Sequence, residues 1–167
     1  MSGRRRTPII IGGCYRSGTS LLRRLLDAHS RIHCGPEVKF FRDLRGEIEI
    51  VHDPLTPFRF FATLPSLGLD SEEIFSIFGR AFIESHELAA RKLGKPRWAD
   101  KAPENVLYME EWDRLLGGEL HFVHVVRHPL DTLASMAEAR FDRVVPDELE
   151  GKVRLYRAYV ERGLRFA

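Results

Sequence analysis

The residues with the clearest chemical purpose lie in "GGCYRSGTS", positions 12–20. Gly13 and Gly18 have four residues between them and Ser20 follows two later, the outline of a loop that cradles phosphate oxygens with backbone N–H groups. Glycines let such a loop turn and approach a ligand. The amides of Ser17, Gly18, Thr19 and Ser20 would then point outward at the positive end of a helix. In nucleoside-triphosphate enzymes a Lys stands where this chain has Thr19, reaches the β/γ-phosphates, and is followed by a Mg²⁺-binding Ser or Thr. Here Arg16 stands at the loop tip instead, and the strand expected at 120–126 carries no acid to support a metal. A metal-bound triphosphate is poorly served by this set, whereas a phosphate carrying a single further group fits it. A glycine-rich turn that holds nothing is the competing reading.

A second corner offers a matching pair. Arg127 leaves the end of the apolar run "LHFVHVV", and Ser135 lies eight residues on, about two turns into the next helix. A guanidinium and a hydroxyl so placed could clamp a second phosphate, the Arg in bidentate fashion. Alternatively Arg127 pairs with Asp131 and Ser135 packs on a helix face.

Both corners need elements to position them. "TPIIIGG" is a short apolar run suited to a strand buried on both faces, and "TSLLRRLLDAHS" places Leu21, Leu22, Leu25 and Leu26 on one helical face with Arg23, Arg24 and Asp27 on the other. Strand, loop and helix thus follow in the order a phosphate loop requires. "RIHC" reads as a second short strand and "EVKFFRDL" as a helix. The segment "HDPLTPFRFFATLPSLGLD" reads as an irregular connection. A helix capped by Asp70 or Ser71 runs to about Leu93, burying Ile74, Phe78, Phe82 and Ile83. "RWADKAP" reads as strand then loop, "ENVLYMEEWDRLLGG" as helix, "LHFVHVVRHP" as the strongest strand, and "LDTLASMAEARF" and "DELEGKVRLYRAYVERGLRFA" as helices. This alternation predicts an α/β fold, three layers α/β/α with a mainly parallel central sheet of the P-loop nucleotide-binding type. In such a sheet the carboxyl ends of all strands share one edge, so Arg16 and Arg127 would share one crevice.

Composition is permissive rather than directive. The 167 residues, 44% of them hydrophobic, suffice for one domain. A net charge of +2 gives no field that argues for nucleic acid or an anionic membrane, so any anion site must be local. Arg4 to Arg6 read as a solvated terminus. Two cysteines, Cys14 and Cys34, are too few for a disulfide scaffold and read as reduced. No run approaches the ~20 apolar residues of a membrane span, and the expectation is a soluble, cytoplasmic protein.

"PIIIGGCYRSGTSLLRRLLDAH" followed by "FVHVVRHPLDTLASM" resembles the sulfotransferases that use 3′-phosphoadenosine 5′-phosphosulfate (PAPS). The first stretch looks like their 5′-phosphosulfate loop and the second like their 3′-phosphate motif. "RSGTSLLRRLLDAHSRIHCGPE" is most similar to the tyrosylprotein sulfotransferase branch and its bacterial relatives. The resemblance spans about residues 7 to 140 and explains the absent lysine, since a sulfuryl donor has no β/γ-phosphates.

The resemblance implies PAPS as donor, 3′,5′-diphosphoadenosine (PAP) as product and no metal. It implies donor binding by Arg16, Ser17, Gly18, Thr19, Ser20, Arg127 and Ser135. Arg16 and Lys101, the latter in "WADKAP", would meet the charge growing on the leaving phosphate and the sulfuryl oxygens. Glu37, after the rigid Gly35-Pro36 turn, matches the branch's base. As a weak base it would need raising by burial or would act in concert with S–O bond formation; its alternative role is a helix N-terminal glutamate. The acceptor would be a small molecule, a saccharide or a peptide, with no nucleic-acid or membrane partner and with homo-oligomers a further expectation. Two departures from the branch are Ala99, where it has a cysteine bridged to the equivalent of Cys34, and Ala139, beside Arg140, where it has a basic residue. A third is length. The chain ends within an expected helix, so residues 1–167 are expected to form a single sulfotransferase-like domain lacking its C-terminal part, or a divergent member. A small-molecule kinase of the same fold and a non-catalytic nucleotide- or protein-binding module are the other readings.

Overall fold

The computed structural model describes residues 6–41, 63–139 and 144–166. Arg4, Arg5, the end of "EVKFFRDL", the connection up to residue 62, and Arg140 lie outside the described residues. Four strands, β1 (Ile9–Gly13), β2 (Ile32–Cys34), β3 (Arg97–Lys101) and β4 (His121–Val125), form one sheet in the order β2-β3-β1-β4, and every pairing is parallel. Five α-helices are present among the described residues: α1 (Thr19–Asp27), α2 (Ser71–Lys92), α3 (Met109–Leu116), α4 (Pro129–Glu138) and α5 (Leu149–Arg165).

Side-chain alternation along the strands assigns the layers. Ile9 and Ile11 of β1 join Cys34 and Ala99 on one face, where Leu22 and Leu26 of α1 cover them. Ile10 and Trp98 point to the other face and meet Phe75 and Phe82 of α2 and Trp112 of α3. β1 is buried at all five positions because both faces are covered, and each buried isoleucine contributes roughly 1.5–3 kcal/mol. A third cluster, with Cys14, Tyr15, Met136 and Tyr159, ties α4 and α5 to the carboxyl end of β1.

The helices differ from their sequence reading in instructive ways. Only Leu22 and Leu26 of α1 reach the sheet; Leu21 and Leu25 are 63% and 62% exposed, because a nine-residue helix on a short strand presents a narrow line of contact. Arg23, expected on the solvated face, is half-buried and donates to backbone carbonyls. Of the two expected caps of α2 it is Asp70 that serves, in a capping box, accepting from the Glu73 N–H while Glu73 accepts from the Asp70 N–H. Its innermost line is Phe75, Gly79, Phe82 and Ala90, with Ile74 and Phe78 half-buried. The single helix expected after Lys101 is a 3-10 turn, Pro103–Tyr108, followed by α3. That turn aims Asn105 inward. Its amide donates to the Ile11 carbonyl (3.0 Å) and to Asp100 Oδ2 (2.8 Å), and its Oδ1 accepts from Trp112 Nε1 (3.2 Å).

Candidate functional site

Register brings the two corners together. Gly13, the last residue of β1, is the partner of Val125, the last residue of β4, so the chain leaves both strands side by side. Gly13 has φ +154°, and a Cβ there would strike the Val125 carbonyl oxygen; a larger residue would force the two strand ends apart. Ser17 closes the turn, its amide and hydroxyl both donating to the Cys14 carbonyl (3.2 and 2.6 Å). Of the amides expected to face a ligand, that of Ser17 is therefore used by the loop itself. Those of Gly18, Thr19 and Ser20 open α1, where a helix offers no acceptors to its leading N–H groups. No side chain caps this terminus and its first turn holds no acid. Gly18, at φ +104°, has open space where a Cβ would be.

Arg16 is the one described non-glycine residue in the left-handed region, φ +66°, a conformation that costs about 1–2 kcal/mol. There its Nε donates to Ser135 Oγ on α4 (2.9 Å). Arg127 Nη1 donates to the Arg16 carbonyl (3.4 Å), and its Nε lies 3.8 Å from Asp131, so the pairing with Asp131 and the approach to the loop coexist. Tyr156 of α5 donates to the Arg127 carbonyl (2.9 Å) and steadies that corner from behind.

Lys101 ends β3 and is turned toward α1. Its side chain is 2% exposed, and Nζ contacts Glu37 Oε2 and Ser20 Oγ, the latter at 3.4 Å. Glu37 stands in the non-helical stretch after β2, before the helical residues Phe40 and Phe41; it is not a first-turn helix residue. Its other oxygen lies 3.3 Å from Lys39 Nζ. Lys39 in turn bonds Glu104 (2.9 Å) and lies 5.4 Å from the centre of the Tyr15 ring, while the Tyr15 hydroxyl donates to Glu104. Burial, then Tyr159 and Glu104, push the Tyr15 phenol up, so it remains a donor. Lys39 thus bridges Glu37 and Glu104, Lys101 pairs with Glu37, and Arg127 with Asp131.

This corner opens as a cleft of about 380 Å³, within the range of small-molecule sites, roughly 300–1,000 Å³; the buried Ser17, Lys101 and Glu104 do not line it. Arg16, Gly18, Thr19, Ser20, Glu37, Arg127 and Ser135 all border it. Lys39, Glu104 and Tyr15 were missed by sequence reasoning. Their only signals were a Lys two residues past Glu37 and a Glu three past Lys101, neither of which says that the two meet.

The acid of the strand next to β1 is Asp100, on β3 rather than at 120–126. It points away from the cleft, since alternation sends Lys101 toward α1 and Asp100 to the opposite face, where Asn105 and His86 Nε2 (3.3 Å) hold it. Cys34 and Ala99 are register partners on β2 and β3. Cys34 is a free thiol, as is Cys14, and burial pushes each to about 12.

The far end of α1 is anchored by Asp27, whose Oδ1 accepts from the Cys34 N–H (3.0 Å) and pairs with His33 Nδ1 (3.1 Å) and Lys95 Nζ (3.4 Å). The Cys34 N–H bond, outweighing the opposite effect of burial and helped by His33 and Lys95, sets this carboxyl below its ordinary value of 3.8. A folded-state value below the unfolded one adds stability above the unfolded value, and that stability is lost as pH falls through the folded value. The melting-temperature gap between the parent and Asp27→Asn should therefore be widest near neutrality and close below about pH 4. A gap that stays constant down to pH 3 would contradict this.

No helix among the described residues is long and apolar enough to cross a membrane. Compared with known proteins, residues 8–165 match the model of the family described as "Sulfotransferase family". The search of curated proteins returned no match.

Proposed function

The chain belongs to the sulfotransferase family, and from that premise we propose that it moves a sulfuryl group from PAPS to a hydroxyl or amine acceptor without a metal ion. One observation carries this reading: Arg16 and Arg127 border one cleft with the uncapped amino end of α1, and the buried Lys101 reaches the same helix end at Ser20 and the Glu37 carboxylate. The donor set favours a mono-substituted phosphate over a metal-bound triphosphate. Thr19 occupies the usual lysine position, and Asp100 points away from the cleft.

The residues divide the work as follows. The amides of Gly18, Thr19 and Ser20, with Arg16, would bind the 5′-phosphosulfate, and Arg127 and Ser135 the 3′-phosphate; Ser17 shapes the loop. In the transfer, the bond from sulfur to the acceptor atom forms as the bond from sulfur to the 5′-phosphate oxygen breaks. Glu37 takes the acceptor's proton, and the electron pair left on the phosphate oxygen is met by Lys101, Arg16 and the α1 amides. The acceptor, a small molecule, saccharide or peptide, would enter beside Lys39 and Pro103. The triad Arg16, Glu37 and Lys101 supports kinship with the tyrosylprotein branch. Its cystine would fall on the register pair Cys34 and Ala99, and the free thiol there fits a reducing, cytoplasmic setting.

The test is thermal denaturation with and without 3′,5′-diphosphoadenosine. At 100 times its Kd the ligand should add about 2.7 kcal/mol, and Arg127→Ala should abolish most of that gain while melting normally when unliganded. If Mg-ATP stabilises the protein and the diphosphoadenosine does not, the reading fails.

A further inference from the structure

Glu37 lies beyond the end of β2, which stops at Cys34, and residues 35–39 have no place in the sheet ladder or in a helix. Lys101 and Lys39 meet its carboxylate, but the backbone that carries the side chain to them needs its own anchor. The backbone just before it is gripped by α1, the helix whose first turn carries the candidate anion cradle. Arg23, one turn along α1 from Ser20, donates through Nη1 to the carbonyls of Cys34 (3.0 Å) and Gly35 (3.2 Å). A further turn on, Asp27 accepts from the Cys34 N–H (3.0 Å). Pro36, the only residue between Gly35 and Glu37, has a ring-fixed φ, so little freedom separates the gripped carbonyl from the carboxylate. A guanidinium on two carbonyls forms charge-assisted bonds, stronger than neutral ones, and the half-buried setting of Arg23 shields them from water.

We propose that Arg23 is a positioning residue that couples the cradle to Glu37: through the Cys34 and Gly35 carbonyls it holds the carboxylate at a set distance from the amides at the start of the same helix. The proposal rests on the reading that Glu37 accepts the acceptor's proton. It predicts a split between binding and turnover. The donor would be held by the front of α1, the loop and Arg127, whereas the Arg23 side chain bonds the Cys34 and Gly35 carbonyls, so the rate depends on the strap that Arg23 holds.

The experiment compares the parent chain with Arg23→Ala and Arg23→Lys. Three quantities are measured: diphosphoadenosine affinity, transfer from saturating PAPS to a phenol, a monosaccharide and a tyrosyl peptide, and the rate at which a thiol reagent labels Cys34, with Cys14 as internal reference. Arg23→Ala should bind diphosphoadenosine as the parent does, lose on the order of 10- to 100-fold in kcat, and label faster at Cys34 only. Arg23→Lys, which keeps the charge and a donor, should recover much of the rate. Undiminished kcat in Arg23→Ala would overturn the proposal, as would a loss of diphosphoadenosine affinity in step with kcat. Should Arg23→Ala fail to fold, Arg23→Met, which keeps most of the stem and removes the guanidinium, decides on the same readouts, with a rate loss at unchanged affinity supporting the coupling and an unaltered rate refuting it. If the parent transfers sulfate to none of the three acceptors, the sulfotransferase reading is what fails. Cys34 labelling then judges the grip alone, and unaltered protection in Arg23→Ala refutes it.

Discussion

Replacing Lys101 with methionine is expected to lower sulfuryl transfer about 10²- to 10³-fold, the usual cost of removing one preorganised donor from a developing negative charge. The melting temperature should change little. Lys101 is a nearly inaccessible ammonium at the end of β3, shared between the Ser20 hydroxyl and Glu37. Taking a charge out of water is costly, and a buried ion pair is often no more stabilising than well-packed apolar groups of similar volume. Methionine keeps most of the stem and removes that cost. Glu37 is not stranded, because its side chain is 30% exposed and retains Lys39 at 3.3 Å. Turnover at saturating PAPS, diphosphoadenosine affinity and a melting curve on one preparation check this. Near-parental turnover would remove Lys101 from the chemistry; a large fall in melting temperature with proportionate activity loss would make it structural.

The second large effect concerns stability. Trp112→Ala should cost about 3–5 kcal/mol of unfolding free energy, the range for truncating a large buried aromatic. Trp112 is fully buried on α3. Its ring meets Phe41 edge-on at 4.7 Å and lies 5.7 Å from Phe82. Its indole N–H also satisfies Asn105, which itself holds the Ile11 carbonyl and Asp100. Truncation opens a cavity and takes away one bond from a buried polar network tied to β1 just before the glycine-rich loop. Denaturant unfolding measures the loss, and Trp112→Phe, which refills most of the volume but not the bond, should fall well short of it. Equal losses in the two variants would mean that the N–H bond, rather than packing, carries the effect.

The strand, loop and helix around GGCYRSGTS could be read from residue order alone, because each step there is local. Three consecutive isoleucines suit a strand covered on both faces, glycines permit the positive φ values at Gly13 and Gly18, and the leucine spacing gives a helix. The second corner was legible for the same reason, and the parallel sheet then brought both corners to one edge. The register of Gly13 with Val125 makes that meeting concrete. Local reasoning failed where one face of an element had to be chosen. The leucines of α1 divide into a packed pair and an exposed pair, and Arg23, grouped with the solvated residues, turns inward to backbone carbonyls that appear only when β2 docks.

Residue order by itself thus determined the α/β architecture and the two strand-to-helix corners that carry Arg16 and Arg127, since sterics, periodicity and chain direction act over a few residues. Tertiary structure alone decided which charges meet. Lys101 and Glu37 are 64 residues apart, Lys39 and Glu104 65, and Tyr15 and Glu104 89. A one-residue change of register would turn Lys101 to the face now held by Asp100. Ion pairs across such distances follow from strand register and side-chain alternation, and those are settled by burying the three apolar clusters against the sheet, a collective balance that no short stretch of sequence contains.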